Sequence, residues 1–590
     1  HGRVKVRSTA EQEARKRKER QIKIIQYRKT LNSIFEKRDN NVFNDELIML
    51  TERILLEIPD LNTVWNIRRE AFKKRESCQE EFTELLKKEL TLTENCLQKN
   101  PKSYSLWHQR YWIIQHLPTP DWKSELELCE KCLNFDDRNF HCWDYRQQLV
   151  KKAGVSNQKE FDFSEIKIMN NLSNYSSWHY RSKILPALFP DQTGKIQVNS
   201  RPILCAVNYN ICAVTAIDVS TLTVSLFDLC TELDLVINAV FTDPNDSSAW
   251  LYQRWLLDYN AFEPNTLWQI VVIDNHAAIV CHGDTQIKPD ELILTRRYVP
   301  LDNDMKDFTH QISVWHSYDS KIFSKRWHAI LPDISSEIDK KFCSISIEYK
   351  NKSYDLHRSE DCNVWFYKSP IECVNKHDTQ LTEQMINIQK LLEMEPNNKW
   401  ALLTLIFLMK NLDLNKYYDD ILKNLSILSK IDKIHEMYYT DIRSKYILDY
   451  KLHSYLTKEN YKRFSMIDLS NIQLTVLYNE HYLSFFDQVN LSGNQLNFSL
   501  HRLAALQNCK KLSLCNNNLK NLKNFPYLPN LECLSLRKNE LTDIEEILNL
   551  LKLHKLIKLD IRSNPIWTNK SKTISKIFNV TPNLILESDK

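Results

Sequence analysis

A tryptophan recurs along the N-terminal half of the chain inside near-copies of one phrase. The copies centre on Trp65, Trp107, Trp143, Trp178 and Trp250. The steps are 42 (65 to 107), 36 (107 to 143), 35 (143 to 178) and 72 (178 to 250), the last being twice 36. A period of this length is typical of stacked helical hairpins, because one hairpin cannot bury its apolar face alone. The period therefore predicts a mainly α, multidomain protein that begins with an α-α helical-hairpin solenoid.

Each phrase has the same internal order. An aromatic residue precedes the tryptophan by three positions at Tyr104, Phe140 and Tyr175, and an arginine follows it by three. The arginines are Arg68, Arg110, Arg146 and Arg181. Residues i and i+3 share one face of a helix. We therefore expect each repeat to pack its tryptophan inward and to present a cation at the rim of the same helix, and we interpret these residues as structural repeat positions.

Composition excludes several classes of protein. With only 5 glycines in 590 residues, the chain cannot contain the clustered glycines of a Rossmann or Walker phosphate loop. The net charge of +4 gives no reason to expect nucleic acid as a partner. No apolar run reaches transmembrane length. The 15 scattered cysteines follow no secretory signal, which predicts a reduced, cytoplasmic protein.

The chain contains one C-x-x-C pair, Cys129 and Cys132, within a helical pattern. A structural zinc site needs four ligands, and no second pair accompanies this one. We therefore interpret both cysteines as small apolar helix residues.

Residues 1–38 form a basic N-terminal segment with 13 Lys and Arg against 4 Asp and Glu. The cluster RKRKER at residues 15–20 lies in a stretch with few helix breakers, which predicts a helix. A nuclear signal, a surface for an acidic partner and a solvated helix face all remain open for this cluster.

The pattern changes several times beyond this segment. Helical hairpins are predicted over 39–260, apart from an atypical apolar insert at 195–228 that lacks the repeat phrase. Short alternating runs over 261–372 predict antiparallel strands and hence an Ig-like β-sandwich domain. Helical periodicity returns over 373–450, where Trp400 repeats the phrase. This return indicates that the β domain is an insertion into, or an appendage on, one helical solenoid.

The C-terminal residues 451–590 repeat the pattern L-x-L-x-x-N-x-L. Its asparagines are Asn494, Asn517, Asn539 and Asn564, in steps of 23, 22 and 25. This pattern is typical of leucine-rich repeats. The leucines are expected to fill the core, and each asparagine side chain is expected to bond backbone groups at the turn after a strand.

The hairpin phrases NPKSYSLWHQRYW, DDRNFHCWDYR, NYSSWHYRS and FTDPNDSSAW resemble the α-subunit repeat of the protein prenyltransferases, and in particular that of the Rab geranylgeranyltransferase type. The predicted sandwich and leucine-rich domains point the same way, since farnesyltransferase-type α subunits have neither. The resemblance runs from His1 to the last repeat, apart from about residues 195–228.

The resemblance implies an obligate heterodimer. Its β subunit would hold the catalytic zinc and the lipid pocket. The enzyme would transfer geranylgeranyl from geranylgeranyl diphosphate to C-terminal cysteines of Rab GTPases that a Rab escort protein presents. The sequence agrees with this division, because the chain has no complete zinc set and no glycine loop.

The resemblance also implies candidate site residues. In this family, an α-subunit lysine just before the repeat aromatic approaches the diphosphate. Lys102, with Tyr104, keeps that pattern, and Arg138, with Phe140, keeps the cation without the phenol. Lys102 is the preferred diphosphate contact, Arg138 is the next, and a charged turn residue without a catalytic role is the alternative for both.

Four histidines complete the candidates that follow from the resemblance. His1, at the start of the sequence, is a candidate ligand for the partner's zinc when no substrate thiol is there. His108, His141 and His179 flank the tryptophan helices and are expected to hydrogen-bond across the subunit interface.

Two other functions compete with this interpretation. The first is a non-catalytic scaffold, since helical solenoids and leucine-rich repeats are both common protein-binding surfaces. The second is the α subunit of farnesyltransferase or of type I geranylgeranyltransferase, which the C-terminal domains disfavour. Tetratricopeptide repeats use a Leu-Gly and Ala pattern that this glycine-poor chain cannot form.

Overall fold

The structure is a computed structural model that describes residues 10–76, 79–188, 226–258, 378–456, 466–484 and 486–587. Between 267 and 368 it also describes the strands of a β region with short adjoining stretches. His1 and all but the last three residues of the insert predicted at 195–228 lie outside the described residues. The chain divides into two compact units, His1–Phe189 and Pro190–Lys590, and each is described by itself.

The first unit is built from helices joined in pairs. After the long helix α1 (Ala10–Asp39), eight helices alternate in the described part of the unit: α2 (Asp45–Glu57), α3 (Asn62–Lys73), α4 (Gln79–Lys99), α5 (Tyr104–His116), α6 (Trp122–Phe135), α7 (Phe140–Ala153), α8 (Asn157–Asn170) and α9 (Tyr175–Leu188). A four-residue turn joins the two helices of each hairpin, at 58–61, 100–103, 136–139 and 171–174. Each repeat tryptophan therefore lies in the second helix of its hairpin.

Side-chain caps fix where these helices begin and end. The Ser103 hydroxyl accepts a hydrogen bond from Leu106 N, and the Asn139 amide oxygen accepts one from Cys142 N. These bonds satisfy backbone N–H groups that have no partner within the helix. Helix α7 ends just before Gly154, whose φ of +64° lies in the left-handed region that suits glycine.

A ladder of hydrogen bonds explains why the tryptophan phrase repeats. Each repeat indole donates to the carbonyl six residues before it, over 2.8–3.0 Å: Trp65 to Pro59, Trp107 to Pro101, Trp143 to Asp137, Trp178 to Leu172 and Trp250 to Pro244. The cap residue of a neighbouring hairpin donates to the same carbonyl in several cases. Asn139 Nδ2 lies 2.9 Å from Pro101 O, and Asn174 Nδ2 lies 2.9 Å from Asp137 O. One carbonyl thus fixes the tryptophan of its own hairpin and the turn of the next.

The prediction of rim cations at the repeat arginines is wrong. All four arginine side chains are buried: Arg68, Arg110, Arg146 and Arg181. Arg110 pairs with Glu125 at 2.7 Å and Arg146 pairs with Glu160 at 2.7 Å, while Arg68 pairs with Glu89. The physical reason is that the following helix α4, α6 or α8 supplies a buried carboxylate. The tryptophans are buried as predicted.

The second unit continues with paired helices. Its described helices before the leucine-rich part are α10 (Leu226–Thr242), α11 (Ser247–Asp258), α12 (Asp378–Met394), α13 (Lys399–Asp413), α14 (Tyr418–Ile431) and α15 (Glu436–Leu456). Asn398 Nδ2 donates to Pro244 O at 2.9 Å, which repeats the ladder bond across 154 residues of sequence. Gln253 in α11 also donates to Gln384 in α12 at 2.6 Å. The α10/α11 and α12/α13 hairpins are therefore neighbours, although the β region lies between them in sequence.

The β region is antiparallel. Its described strands are β1 (Leu267–Ile273), β2 (His276–Thr285), β3 (Leu292–Tyr298), β4 (Lys306–Gln311), β5 (His316–Ser317), β6 (Ser324–Ile330), β7 (Phe342–Tyr349), β8 (Lys352–Arg358) and β9 (Val364–Lys368). They hydrogen-bond in the order β4-β3-β7-β8-β9-β1-β2-β6-β5. Two residue pairs alone join β8 to β9, so two halves meet there. Apolar residues of both halves share one core, including Ile270 and Trp327 from one and Leu294 and Ile347 from the other.

The C-terminal part contains a ladder of short parallel strands. These are β10 (Met466–Asp468), β11 (Gln488–Asn490), β12 (Lys511–Ser513), β13 (Cys533–Ser535), β14 (Lys558–Asp560) and β15 (Ile585–Leu586), with α16 (Ile544–Leu553) and α17 (Lys570–Val580) among them. The repeat asparagines are buried, and each donates to backbone carbonyls. Asn494 bonds Leu469 O and Leu491 O, and Asn564 bonds Leu536 O and Ile561 O. This is the structural role that the sequence predicts for them.

Helix α15, the last helix before the parallel ladder, packs against that ladder. Its Ile447, Leu448 and Leu452 are part of the same buried cluster as the leucines of the parallel ladder. Its Ser444 hydroxyl also accepts a hydrogen bond from Thr475 N at 2.9 Å. The helix thereby covers the first turn of the leucine-filled core.

Candidate functional site

The candidate cations lie at equivalent positions of two neighbouring turns. Lys102 belongs to the turn before α5, and Arg138 belongs to the turn before α7. The Lys102 ammonium lies 2.9 Å from Asp136 Oδ2, and the Arg138 backbone N–H donates to Asp136 Oδ1 at 3.2 Å. Asp136 therefore holds the two candidates together at one edge of the hairpin array.

The Lys102 side chain is available to a ligand. It is 64% exposed, and Asp136 is its partner within the described part of the chain. An exposed ion pair of this kind is weak, because water screens it and the long side chain loses freedom. The free-energy cost of moving the Lys102 ammonium from Asp136 to a bound anion is therefore small.

Arg138 points along the row of turns. Its guanidinium donates to Ser173 O at 3.0 Å, in the turn before α9. Unlike the Lys102 ammonium, the Arg138 guanidinium forms no ion pair with a carboxylate within the described residues. The position equivalent to Lys102 and Arg138 is Asp60 in the first hairpin and Ser173 in the fourth, so the positive charge is confined to the two middle turns of this unit.

Aromatic side chains flank the cations. Tyr104 is 71% exposed and Phe140 is 51% exposed, with ring centroids 5.8 Å apart. His141 lies beneath them, 4.2 Å from Tyr104 and 3.9 Å from Phe140 between ring centroids. Within the described residues the Tyr104 hydroxyl has no hydrogen-bond partner, so it is free to donate to a bound anion.

His141 holds this edge in place and adds no positive charge to it. Burial lowers the pKa of its imidazole, and its ring hydrogen-bonds the backbone of Lys102. The neutral ring therefore holds the Lys102 turn in place between Tyr104 and Phe140. The arrangement as a whole offers one exposed ammonium, one guanidinium and one phenol to an anionic ligand.

The other two candidate histidines, His108 and His179, have different neighbours. His108 lies 3.2 Å from the Arg69 guanidinium, and burial together with that cation lowers the pKa of its ring. His179 stacks on Tyr175 at 5.8 Å, and burial lowers its pKa to about 4. Their hydrogen bonds to a partner subunit remain a prediction.

Two sets of residues in this unit were not predicted from the sequence. Asp136 carried no signal, because nothing in the chain marks it as the partner of a lysine 34 residues earlier. The buried glutamates could have been predicted, because their spacing from the repeat tryptophans is constant. A glutamate precedes four of the repeat tryptophans by 18 residues, at Glu89, Glu125, Glu160 and Glu232. Each of these accepts a bond from the residue two places after its own tryptophan: Gln109, Tyr145, Tyr180 and Tyr252.

Among the described residues there is neither a metal-binding cluster nor a membrane-spanning helix. No group of three or more His, Cys, Asp or Glu among them could hold a metal ion, so they do not fit a zinc centre. His1, the candidate ligand for a partner's zinc, lies outside the described part. None of the described helices combines the length and apolar character that crossing a membrane requires.

Comparison with known proteins shows the class of protein to which this chain belongs. Four stretches of the chain match the protein prenyltransferase alpha subunit repeat, at residues 86–117, 122–153, 157–188 and 229–260. These are the hairpins α4/α5, α6/α7, α8/α9 and α10/α11 with their flanking residues. The fold and its repeat phrase are thus those of a helical-repeat prenyltransferase subunit.

Relatives that match most of the chain show which family of prenyltransferase subunits it belongs to. The mouse protein named geranylgeranyl transferase type-2 subunit alpha is 33% identical over an alignment of 538 residues that covers 88% of each chain. The human protein of the same name is 32% identical over an alignment of 540 residues that also covers 88% of each chain. This chain belongs to the family of type-2 geranylgeranyl transferase α subunits, the Rab geranylgeranyltransferase α subunits that its repeat phrases resemble.

Two further likenesses are more limited. The Saccharomyces cerevisiae geranylgeranyl transferase type-2 subunit alpha is 31% identical over 265 residues, which are 44% of this chain and 72% of the yeast protein. A solved Candida albicans protein geranylgeranyltransferase-I complexed with GGPP covers 71% of this chain and 90% of its own, at 14% identity and a TM-score of 0.39. That score is too low to equate the two folds.

Proposed function

We propose that this chain is the α subunit of a heterodimeric Rab geranylgeranyltransferase that works in the cytoplasm. With a β subunit that holds the zinc and the lipid pocket, it transfers geranylgeranyl from geranylgeranyl diphosphate to C-terminal cysteines of Rab GTPases. A Rab escort protein presents these substrates. The observation that carries the proposal is the exposed Lys102 beside Arg138 and Tyr104, in the repeats of a chain that belongs to this family.

The chemistry of the reaction gives the cations a role. The diphosphate gathers negative charge as its bond to the geranylgeranyl carbon breaks. A cation placed there stabilises the transition state more than the ground state, which raises the rate of the chemical step. In our proposal, the Lys102 ammonium leaves Asp136 and binds a phosphate oxygen, the Tyr104 hydroxyl donates a hydrogen bond, and Arg138 supplies further positive charge. Zinc on the partner subunit would bind and activate the substrate thiol.

The length of one relative supports an assignment of functions within the chain. The match to the yeast protein covers 72% of that protein but only 44% of this chain, so the yeast protein is the shorter of the two, yet it has the same name as the mammalian relatives. We propose that residues 39–260 and 373–450 form the prenyltransferase solenoid that performs the subunit's function, with residues 1–38 as its basic N-terminal segment. Residues 261–372 are then an appended Ig-like β-sandwich domain, and residues 451–590 are a leucine-rich-repeat domain.

A smaller proposal concerns His1. Its imidazole would coordinate the partner's zinc in the substrate-free dimer. Spectroscopy of the zinc site with and without His1→Ala tests this, and an unchanged ligand spectrum in the variant would reject it.

The decisive experiment is co-expression with a prenyltransferase β subunit. Labelled geranylgeranyl diphosphate and a Rab–escort protein complex are then supplied. We expect transfer of label only when both chains are present. A folded chain that neither binds the β subunit nor supports transfer would instead favour the protein-binding scaffold.

Site variants in the same assay test the role of Lys102. We expect Lys102→Ala to leave the dimer intact and to lower the turnover number, and Lys102→Arg to recover part of it. Lys99→Ala is the matched control, because Lys99 is also an exposed lysine in an ion pair, with Glu57 at 3.3 Å. Unchanged turnover and unchanged diphosphate affinity in Lys102→Ala would reject the assignment.

A further inference from the structure

A cationic pocket of about 440 Å³ lies among helices α1, α3 and α5. Four of its lining residues occupy positions i, i+3, i+4 and i+7 on one face of α3: Asn66, Arg69, Glu70 and Lys73. Arg38 of α1 and Trp112 of α5 line it from the other two helices. Three cations against one carboxylate give the lining of this α3 pocket a net charge of +2.

The carboxylate of the α3 pocket is already neutralised. The Arg38 guanidinium donates to both oxygens of Glu70, at 2.9 and 2.8 Å. Such a bidentate pair satisfies the carboxylate and holds it in a fixed position. Arg69 and Lys73 therefore supply the excess positive charge of the pocket.

Arg69 is held by neutral acceptors. Its Nη1 donates to Gln109 Oε1 at 2.9 Å and lies 3.2 Å from His108 Nδ1, and its Nη2 donates to Asn66 Oδ1. Because an arginine side chain can only donate, His108 Nδ1 accepts and the ring is in its neutral form. Within the described residues the Arg69 guanidinium thus forms hydrogen bonds but no ion pair with a carboxylate.

Both excess cations lack a counter-charge that the pocket itself could provide. Burial lowers the pKa of Arg69, against the opposite effect of Glu89, whose carboxylate already pairs with buried Arg68. Lys73 lies one turn further along α3, is exposed, and forms no ion pair within the described part of the chain. Like charges at i and i+4 of a helix repel each other. An anion bound between Arg69 and Lys73 would relieve the burial cost and the repulsion together.

The α3 pocket lies on the same side of α5 as the candidate diphosphate contact. Tyr104, His108 and Trp112 follow each other at i, i+4 and i+8, which places them along one face of that helix. The eight residues from Tyr104 to Trp112 span roughly 12 Å at about 1.5 Å per residue. A partner surface that presents a diphosphate to Lys102 and Tyr104 therefore extends to the pocket.

We propose that the α3 pocket receives an acidic side chain, Asp or Glu, of the β subunit, whose carboxylate binds Arg69 and Lys73. A carboxylate matches the planar guanidinium and is the anion that a folded partner surface carries. The inference rests on the proposed function, because it names the chemistry by which the two subunits recognise each other. The β subunit should accordingly have an exposed carboxylate near its diphosphate site.

Charge reversal tests the proposal on the heterodimer. We expect Arg69→Glu to raise the Kd of the dimer about thirtyfold or more, since loss of a desolvated charge contact costs that much. Lys73→Glu, at the exposed rim, should act mainly by slowing association and by reducing its dependence on salt. Surface plasmon resonance at low and high salt measures these quantities.

Lys87→Glu is the matched control for both variants. It changes the net charge by the same amount, and Lys87 is an exposed lysine on α4 that pairs with Glu84 at 2.8 Å. The control should leave the Kd within about twofold of the unaltered chain, as is usual for surface substitutions.

A carbodiimide cross-link identifies the partner group. The reagent condenses an amine with a carboxylate and takes up the water as a urea, so it joins Lys73 to an acidic residue that lies against it. Mass mapping of the unaltered dimer should show a Lys73 peptide joined to a β-subunit peptide through Asp or Glu. Lys73→Arg should keep the Kd and lose this cross-link, because it keeps the charge without the amine.

The outcomes separate this inference from the proposed function. If the unaltered chain forms no dimer, the proposed function fails, and the inference fails with it. If the dimer forms with the same Kd in Arg69→Glu and Lys73→Glu, or if Lys73 joins only to acidic residues of its own chain, the inference alone is wrong. Calorimetry that finds inorganic phosphate bound to the dimer through Arg69 and Lys73 would also overturn it. Should Arg69→Glu not fold, Lys73→Glu and the cross-link map decide.

Discussion

The Arg110 guanidinium in α5 forms two parallel hydrogen bonds with the Glu125 carboxylate in α6, at 2.8 and 2.7 Å. Because α5 ends one hairpin and α6 begins the next, this ion pair connects consecutive repeats. Tyr145 adds a third bond to the same carboxylate at 2.7 Å. The pairs Arg68 with Glu89 and Arg146 with Glu160 repeat the connection. The hairpins of the first unit are thus joined by buried charges as well as by apolar contacts.

Glu125→Gln should destabilise the protein strongly. The substitution leaves the Arg110 cation buried without a counter-charge, which typically costs about 3–5 kcal/mol. Glu57→Gln is the control, since it breaks the exposed pair with Lys99 and should cost about 0–1 kcal/mol. Urea unfolding followed by circular dichroism measures both. Equal losses in the two variants would contradict a structural role for the buried pair.

Asp136→Asn should tighten diphosphate binding. Asp136 pairs with the Lys102 ammonium, so a diphosphate has to compete with it for the lysine. Removing the charge should raise affinity for geranylgeranyl diphosphate by up to about fivefold, since an exposed ion pair is worth up to about 1 kcal/mol. Binding is measured on the dimer by fluorescence titration. Lys102→Ala should change the affinity in the opposite direction, and a loss of affinity in both variants would argue against the competition.

Gly493→Ala should cost more than Gly154→Ala. Both glycines have positive φ, at +72° and +64°, which costs alanine about 1–2 kcal/mol. A Cβ at Gly154 meets nothing within 4 Å, whereas one at Gly493 would collide with the Asn471 side chain, whose Cγ would be 2.8 Å away. We expect about 1–3 kcal/mol of additional loss at Gly493 from this overpacking. Thermal unfolding of the two variants tests the order, and equal losses would show that the collision is relieved by movement of Asn471.

The stability of the first unit should fall as the pH is lowered from about 6.5 to 4. Burial, with a smaller effect from Lys183, lowers the pKa of His179 to about 4 in the folded chain, below the ordinary value of 6.5. The unfolded chain therefore binds a proton in this window while the folded chain does not. At pH 7 both states are neutral at this residue, and at pH 5 the loss should reach about 2 kcal/mol.

Urea unfolding at pH 7 and pH 5, with and without His179→Gln, isolates the contribution of this histidine. The variant should lose about 2 kcal/mol less than the unaltered chain on acidification. If the two lose the same amount, the imidazole is not the group responsible.

Local spacing made much of the architecture predictable. The tryptophan period determines the hairpins because each indole bonds a carbonyl only six residues earlier, so the whole interaction fits inside one phrase. The asparagine steps determine the parallel ladder for the same reason, since Asn494 bonds the carbonyl of Leu491 three residues before it. A pattern whose contacts are near in sequence can be read from the sequence.

The candidate site was only partly predictable. The family resemblance of the repeat phrases named Lys102, Arg138 and Tyr104 as candidates, whose contact with a diphosphate stays a prediction, and the structure places the three residues at one edge. Asp136, which holds Lys102, was not found, because the two residues belong to different repeats.

The sequence by itself determined which residues repeat, and therefore the hairpins, their tryptophan anchors and the leucine-filled ladder. Only the tertiary structure decided which charged side chains are buried in ion pairs and which stay exposed. An arginine three residues after a tryptophan can face water or the core, and its environment depends on the carboxylate that the next hairpin contributes. For Arg110 that carboxylate is buried Glu125, whereas for Lys102 it is Asp136 at an exposed turn. The same attraction between opposite charges therefore stabilises the fold in one place and leaves a cation available to a ligand in the other.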